Sequence, residues 1–161
     1  MMARIAKIAL VASTGLLVLL VAINNVFDYE TNFDVVKHIL SMDMIPPSPL
    51  AWRAITSPAL HHLCYGFIIV AEFVSALVTL YGAWLLWRAR AEEATRFNAA
   101  KEIAVAGLAV GFSLYFFGFM AIGGEWFQMW RAGVYNMQEP AFRFIGSVGL
   151  VMIFLGQRDV D

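Results

Sequence analysis

The sequence predicts an all-α integral membrane protein, a four-helix bundle with both termini in the cytoplasm and a short interfacial helix in its first outer loop. Three observations predict it. Of the 161 residues, 61% are drawn from AVILMFWYC and 14% are charged, whereas a soluble domain holds about 45–50% apolar residues with glycine counted and about 25% charged. Four apolar stretches, near residues 5–27, 60–87, 103–123 and 141–156, approach or exceed the roughly 20 helical residues that cross a hydrocarbon core about 30 Å thick. The basic residues between them are unevenly divided. A barrel would need alternating segments of about 10 residues, and the sequence has none.

The net charge of −1 leaves no basic surplus with which to hold nucleic acid. Cys64, the single cysteine, can neither close an internal disulfide nor build a thiolate metal site alone. With no internal repeat and no second composition, residues 1–161 read as one four-span transmembrane domain.

Span one follows Arg4 and Lys7 and ends in Asn24-Asn25-Val26-Phe27 without a small-x-small cleavage site, so it reads as a retained anchor. The outer loop 28–59 comes next. In it Asn32 or Asp34 is placed to cap a short helix whose Val35, Val36, Ile39 and Leu40 share one face. Such a helix would lie flat in the interface. Ile45-Pro46-Pro47-Ser48-Pro49 breaks it, and Ser57-Pro58 offers the N-cap and first-turn chemistry that opens span two. Trp52, Trp126 and Trp130 mark one membrane boundary and Trp84 and Trp87 the other.

The link between spans two and three, with Arg88, Arg90, Glu92 and Glu93, reads as a solvated loop that sets orientation. Counting Arg4, Lys7, Arg88, Arg90, Arg96, Lys101 and Arg158 gives seven basic residues on the side of the termini; Lys37, Arg53, Arg131 and Arg143 make four on the other. The richer side is expected to be cytoplasmic. Span three carries Gly107 and Gly111, four apart, the spacing that lets helix backbones approach, either within the chain or in a homo-oligomer. Gly123-Gly124 is expected to end it, after which Trp126 and Trp130 share a face and Arg131 is free to pair with Glu125 or a lipid phosphate. Span four is the shortest, with Gly146, Gly149 and Gly156 along it.

Along span two, Tyr65, Ile68, Glu72, Ser75, Ala76, Thr79 and Ala83 form one stripe that should point into the bundle. Glu72 lies roughly 18 Å inside the outer end of its helix. A carboxylate inside the membrane costs at least about 2.5 kcal/mol on insertion scales and is a functional-site hypothesis by default. It reads either as a proton or ion station or as a structural acid hydrogen-bonded to Tyr115, or to Ser13 and Thr14 at comparable depth.

A second constellation stands at the outer surface: His61, His62 and Glu125, with Asp28, Glu30 and His38 near by. Imidazoles and carboxylates there could contact a quinone headgroup, a haem, or a zinc- or copper-like ion. Adjacent histidines point about 100° apart on a helix, and the other spans lack histidine. No metal set is therefore assigned and no cofactor is predicted, with quinone or haem left open at His61, His62 and Glu125. Nucleotide-loop, nucleophile-elbow and metalloprotease motifs are absent.

The four spans, Asn24-Asn25-x-x-Asp28-Tyr29, Asp43-Met44, Trp52-Arg53-Ala54-Ile55 and Gly124-Glu125-Trp126-Phe127-x-Met129-Trp130 together resemble the bacterial predicted small integral membrane proteins grouped as domain of unknown function number twenty-one sixty-five. The resemblance implies four helices in a bacterial inner membrane and brings no catalytic residues. The sequence is thus expected to be a non-catalytic accessory, assembly or homo-oligomeric component, acting through lipid and a membrane-protein partner or a second copy. Two alternatives stand beside it: a quinone- or haem-binding electron-transfer subunit with an outer-leaflet site, and proton or ion passage centred on Glu72.

Overall fold

The computed structural model describes residues 1–160, and among them every regular element is helical. The helices are α1 (Met2–Phe27), α2 (Tyr29–Ser41), α3 (Pro58–Ala89), α4 (Ala94–Ala99), α5 (Lys101–Ser113) and α6 (Gln138–Gly156). From Leu114 to Trp126 the fifth helix continues with π-helical, i to i+5 bonding. Four segments are long and apolar enough to cross a membrane: Met2–Phe27, Pro58–Ala89, Ala94–Trp126 and Gly133–Gly156. Both termini lie at one end of the bundle and α2 at the other, since Lys7 near the start of the chain touches Asp159 near its finish.

The structure moves several boundaries. Helix α2 begins directly after Asp28, three to five residues before the expected cap, and Asp28 accepts a bond from the Thr31 hydroxyl at 2.8 Å. Its Ile39 and Leu40 pack on Phe127, Met129 and Ala132 of this same chain. Ser57 and Pro58 do open α3, but the Ser57 hydroxyl caps nothing; the Leu60 and His61 amides bond to its carbonyl. The link after α3 shrinks to residues 90–93, because α4 stacks onto α5 and sinks Phe97 wholly into the core. Charge at Arg96 and Lys101 made this stretch look solvated, yet Lys101 is itself buried. Gly123 and Gly124 do not end the third span. They lie inside it, where a side chain on Gly124 would strike Gln138. The π-helical segment stops at Phe127, followed by Gln128 in the left-handed region at φ 56°.

Helix α3 is central, with α1 on one side and α5 on the other, and α6 closes over α5 and the π-helical segment. Small residues let α3 and α5 touch. A Cβ on Gly107 would collide with the Thr79 backbone, one on Gly111 would lie 2.6 Å from Ser75 Oγ, and one on Gly82 would strike Ala104. At this contact the Ser75 hydroxyl donates to the Gly107 carbonyl at 2.9 Å. Towards the termini the bundle is dry: Val11, Leu86, Phe97, Ala104, Leu108, Val148 and Leu155 form one buried cluster. Packing of this kind holds membrane helices together where lipid is as apolar as the side chains.

Below that cluster three charged groups meet. Lys7 of α1 and Lys101 of α5 both contact Asp159 Oδ2, at 2.6 and 2.5 Å, and both also donate to the Gln157 carbonyl. Asn98 fixes the same tail through the Asp159 backbone. Burial alone would raise the Asp159 carboxyl, but the bonds and charges of Lys101 and Lys7 outweigh it and hold it below its ordinary range. A carboxyl depressed in the folded state contributes stability above its unfolded pKa and loses it as pH falls through its folded value. Asp159→Asn should therefore lower stability at neutral pH by roughly 1–3 kcal/mol, between an exposed and a fully buried pair. Thermal unfolding in detergent checks this: the gap from wild type should close only below about pH 3.9, the ordinary carboxylate value.

Candidate functional site

The stripe on α3 is buried from Tyr65 through Glu72, Ser75, Ala76 and Thr79 to Ala83, with Ile68 half-buried. Helix α2 crosses α3 at the level of His61 to Tyr65, where Tyr29, Phe33 and Ser41 meet it. Glu72 lies seven residues beyond Tyr65, about 10 Å deeper at 1.5 Å per residue. It is 2% exposed, so its oxygens need partners from the protein.

Two neighbouring helices supply them. Asn25, in the last turn of α1, donates through Nδ2 to Glu72 Oε2 at 2.7 Å, and the Tyr115 hydroxyl donates to Oε1 at 3.1 Å. Further groups hold Asn25. Asn32 of α2 donates to its Oδ1 at 2.8 Å, and the Tyr65 hydroxyl donates to its backbone carbonyl at 3.1 Å. The carboxyl is thus tied to α1, α2 and the π-helical segment at once. That segment begins with Leu114 and Tyr115, and such stretches recur at functional sites. Tyr115 also stacks on Phe144 of α6, with ring centroids 4.4 Å apart.

A cavity of about 300 Å³ lies against this network. Asn24, Asn25, Asn32, Tyr65, Glu72 and Tyr115 give it a polar side, and Phe119, Ala141 and Phe144 an apolar one. Asn24, Asn32 and Pro140, also in its lining, are exposed, so it reaches the surface on the α2 side between α1 and α6. Lys, Arg, His and Asp are absent from the lining. In the opposite direction the dry cluster around Leu86 and Leu108 closes the bundle.

The other expected residues take separate places. His61 is buried, with Nε2 2.7 Å from the Ile55 carbonyl and 3.5 Å from Ser41 Oγ. His62 stacks on Phe33 at 4.1 Å and lies 2.8 Å from the Tyr29 hydroxyl through Nδ1. Glu125 is exposed and bonds to neither. Among the described residues, no three His, Cys, Asp or Glu side chains converge as a metal would require. Trp126 and Trp130 are both exposed, and the Arg53 guanidinium lies 4.3 Å from the Trp126 ring. Arg131 turns to Gln128 rather than to Glu125. Gly107 and Gly111 face α3. Ser13 is exposed, and Thr14 donates to the Leu10 carbonyl instead of to Glu72.

Sequence reasoning missed Asn25 and Asn32. The signal was there for Asn25, since the buried residues Val11, Gly15, Val18, Ala22 and Asn25 recur at helical spacing on α1. Asn32 carried no such signal, because its role depends on how α2 folds back over α3.

The family model for predicted small integral membrane protein (DUF2165) matches residues 3–158, and the chain belongs to that family. No curated protein and no solved structure matches it.

Asn25→Ala removes one donor from Glu72 and the acceptor of Asn32, so it should destabilise the protein by about 2 kcal/mol. Asn24→Ala, one position away on the exposed side, should stay within about 0.5 kcal/mol. Thermal unfolding of the two variants in one detergent makes the comparison; equal losses would contradict the assignment.

Proposed function

We propose that this protein is a non-catalytic component of a bacterial inner membrane that takes up a small organic molecule from the outer side and holds it beside Glu72, for use by a membrane partner. One observation carries the reading: the intramembrane carboxyl is served by donors from two other helices and still faces a cavity of about 300 Å³ that reaches the surface. Cavities of this kind, mostly apolar with a few convergent polar groups, are the usual form of small-molecule sites.

The basic residues support the orientation. Seven of them lie at the end of the termini and four at the end of α2, which favours an outward-facing α2. Passage of protons or ions right through the bundle has less support, since the cluster of Val11, Leu86, Leu108 and Val148 fills the half beyond Glu72. A site at His61, His62 and Glu125 has less support too, because each histidine is already engaged elsewhere. The role beside a partner rests on Trp126 and Trp130, large rings that remain about half exposed at the α2 end. Aromatic residues are enriched at protein interfaces as well as in membrane belts.

In a Cys64→Ser background, Ala141→Cys places a thiol on the cavity wall and Ala83→Cys places one in the closed half. With the protein in nanodiscs, a small charged thiol reagent should modify the first and spare the second. An unmodified Ala141→Cys would overturn this reading.

A further inference from the structure

We propose that the molecule held beside Glu72 is a protonated primary or secondary amine bearing an apolar group. The inference rests on the cavity reading above and names the ligand's chemistry.

The hydrogen-bond inventory leads to it. An ionised carboxylate offers about four lone-pair sites. Asn25 and Tyr115 occupy one on each oxygen, and Glu72 is part of the cavity wall. One N–H of Asn25 and the Tyr115 hydroxyl are engaged with Glu72, and one N–H of Asn32 is engaged with Asn25. A ligand that offers only acceptors, such as a quinone, meets no basic side chain there and only the spare amide N–H groups of Asn24, Asn25 and Asn32, and it leaves the Glu72 lone pairs unserved. A ligand with an N–H donor and a positive charge satisfies the free lone pairs and pairs with the one carboxyl group in the lining.

The walls fit the same chemistry. Tyr65, Tyr115, Phe119 and Phe144 line the cavity with aromatic rings. Ring faces carry negative potential and attract cations, most of all where water is scarce. The volume of about 300 Å³ is roughly twice that of the 150 Å³ cavity known to hold benzene. It therefore accommodates a single ring with a short ammonium arm. A neighbouring apolar hollow of about 500 Å³ shares the wall of Val35, Val36, Ile68 and Phe119, and leaves space for a longer hydrocarbon group.

Proton and amine neutralise the same carboxyl, so they compete. The titratable groups that face Glu72 are Tyr115 from the π-helical segment and Tyr65 on its own helix; α1, α2 and α6 bring none to the cavity. Amine binding should accordingly weaken as pH falls.

The test uses the full chain in nanodiscs of zwitterionic lipid, with phenethylammonium as probe and 3-phenylpropan-1-ol as its neutral counterpart, measured by titration calorimetry. Wild type should bind the amine at least about tenfold more tightly than the alcohol, and Glu72→Gln should lose about that factor for the amine alone, the range of a charged hydrogen bond. Glu72→Asp, which keeps the charge if Gln fails to fold, should retain the preference for amine. Equal binding of amine and alcohol, or amine binding unchanged in Glu72→Gln, overturns the proposal. So does absence of amine binding in protein whose Ala141→Cys is modified. If Ala141→Cys is not modified, the cavity reading itself fails, and this inference with it.

Discussion

A carboxyl group inside a membrane has no water to serve it, so every donor it needs must arrive on a neighbouring helix, and those helices must stop, bend or tighten where the donor is required. Glu72 imposes this demand on the whole half of the bundle nearest α2. Helix α1 ends just past Asn25, and the chain folds back at once so that Asn32 of α2 braces the Asn25 side chain. The third span widens into π-helical bonding in the segment that carries Tyr115. Helix α6 covers Tyr115 with Phe144. The end of α1 and the start of the π-helical segment both lie within reach of the same acid.

The opposite half answers to a different constraint. There the backbones of α3 and α5 touch at Gly82, Gly107 and Gly111, and the interior is filled with aliphatic and aromatic side chains. Lys7 and Lys101 bind Asp159 at the end of the bundle and so fasten the C-terminal tail across the first and third spans. A closely packed half thus supports one with a cavity beside Glu72. On the function proposed above, this division lets a small molecule in from one side and keeps the membrane sealed.

How much of this was legible follows from the range of each signal. The four spans and the inward stripe on α3 were readable, because hydrophobic length and helical period are local properties of the sequence. Depth put Tyr115 among the candidate partners of Glu72 together with Ser13 and Thr14, and only the structure singles out Tyr115. Asn25 was readable only by extending the buried stripe of α1 by one more turn. Other features depended on the tertiary arrangement. Nothing local distinguishes Gly123-Gly124 as a close contact from the same pair as a helix end; the difference is Gln138, fourteen residues on from Gly124. Lys101 looked like a solvated topology signal because its partner, Asp159, lies 58 residues away in the chain. His61 and His62, about 100° apart on their helix, are engaged separately: His61 by the Ile55 carbonyl of the loop and His62 by Tyr29 and Phe33 of α2.

The central claim is that Glu72 is the acceptor around which the half nearest α2 is assembled, and a double-mutant cycle between Glu72→Leu and Tyr115→Phe addresses it most directly. Unfolding free energies are compared in one detergent. Tyr115→Phe should cost about 1 kcal/mol beside Glu72 and almost nothing beside Leu, because the hydroxyl then has no acceptor to lose. The same cost in both backgrounds would mean that the two side chains do not cooperate, and would contradict the account.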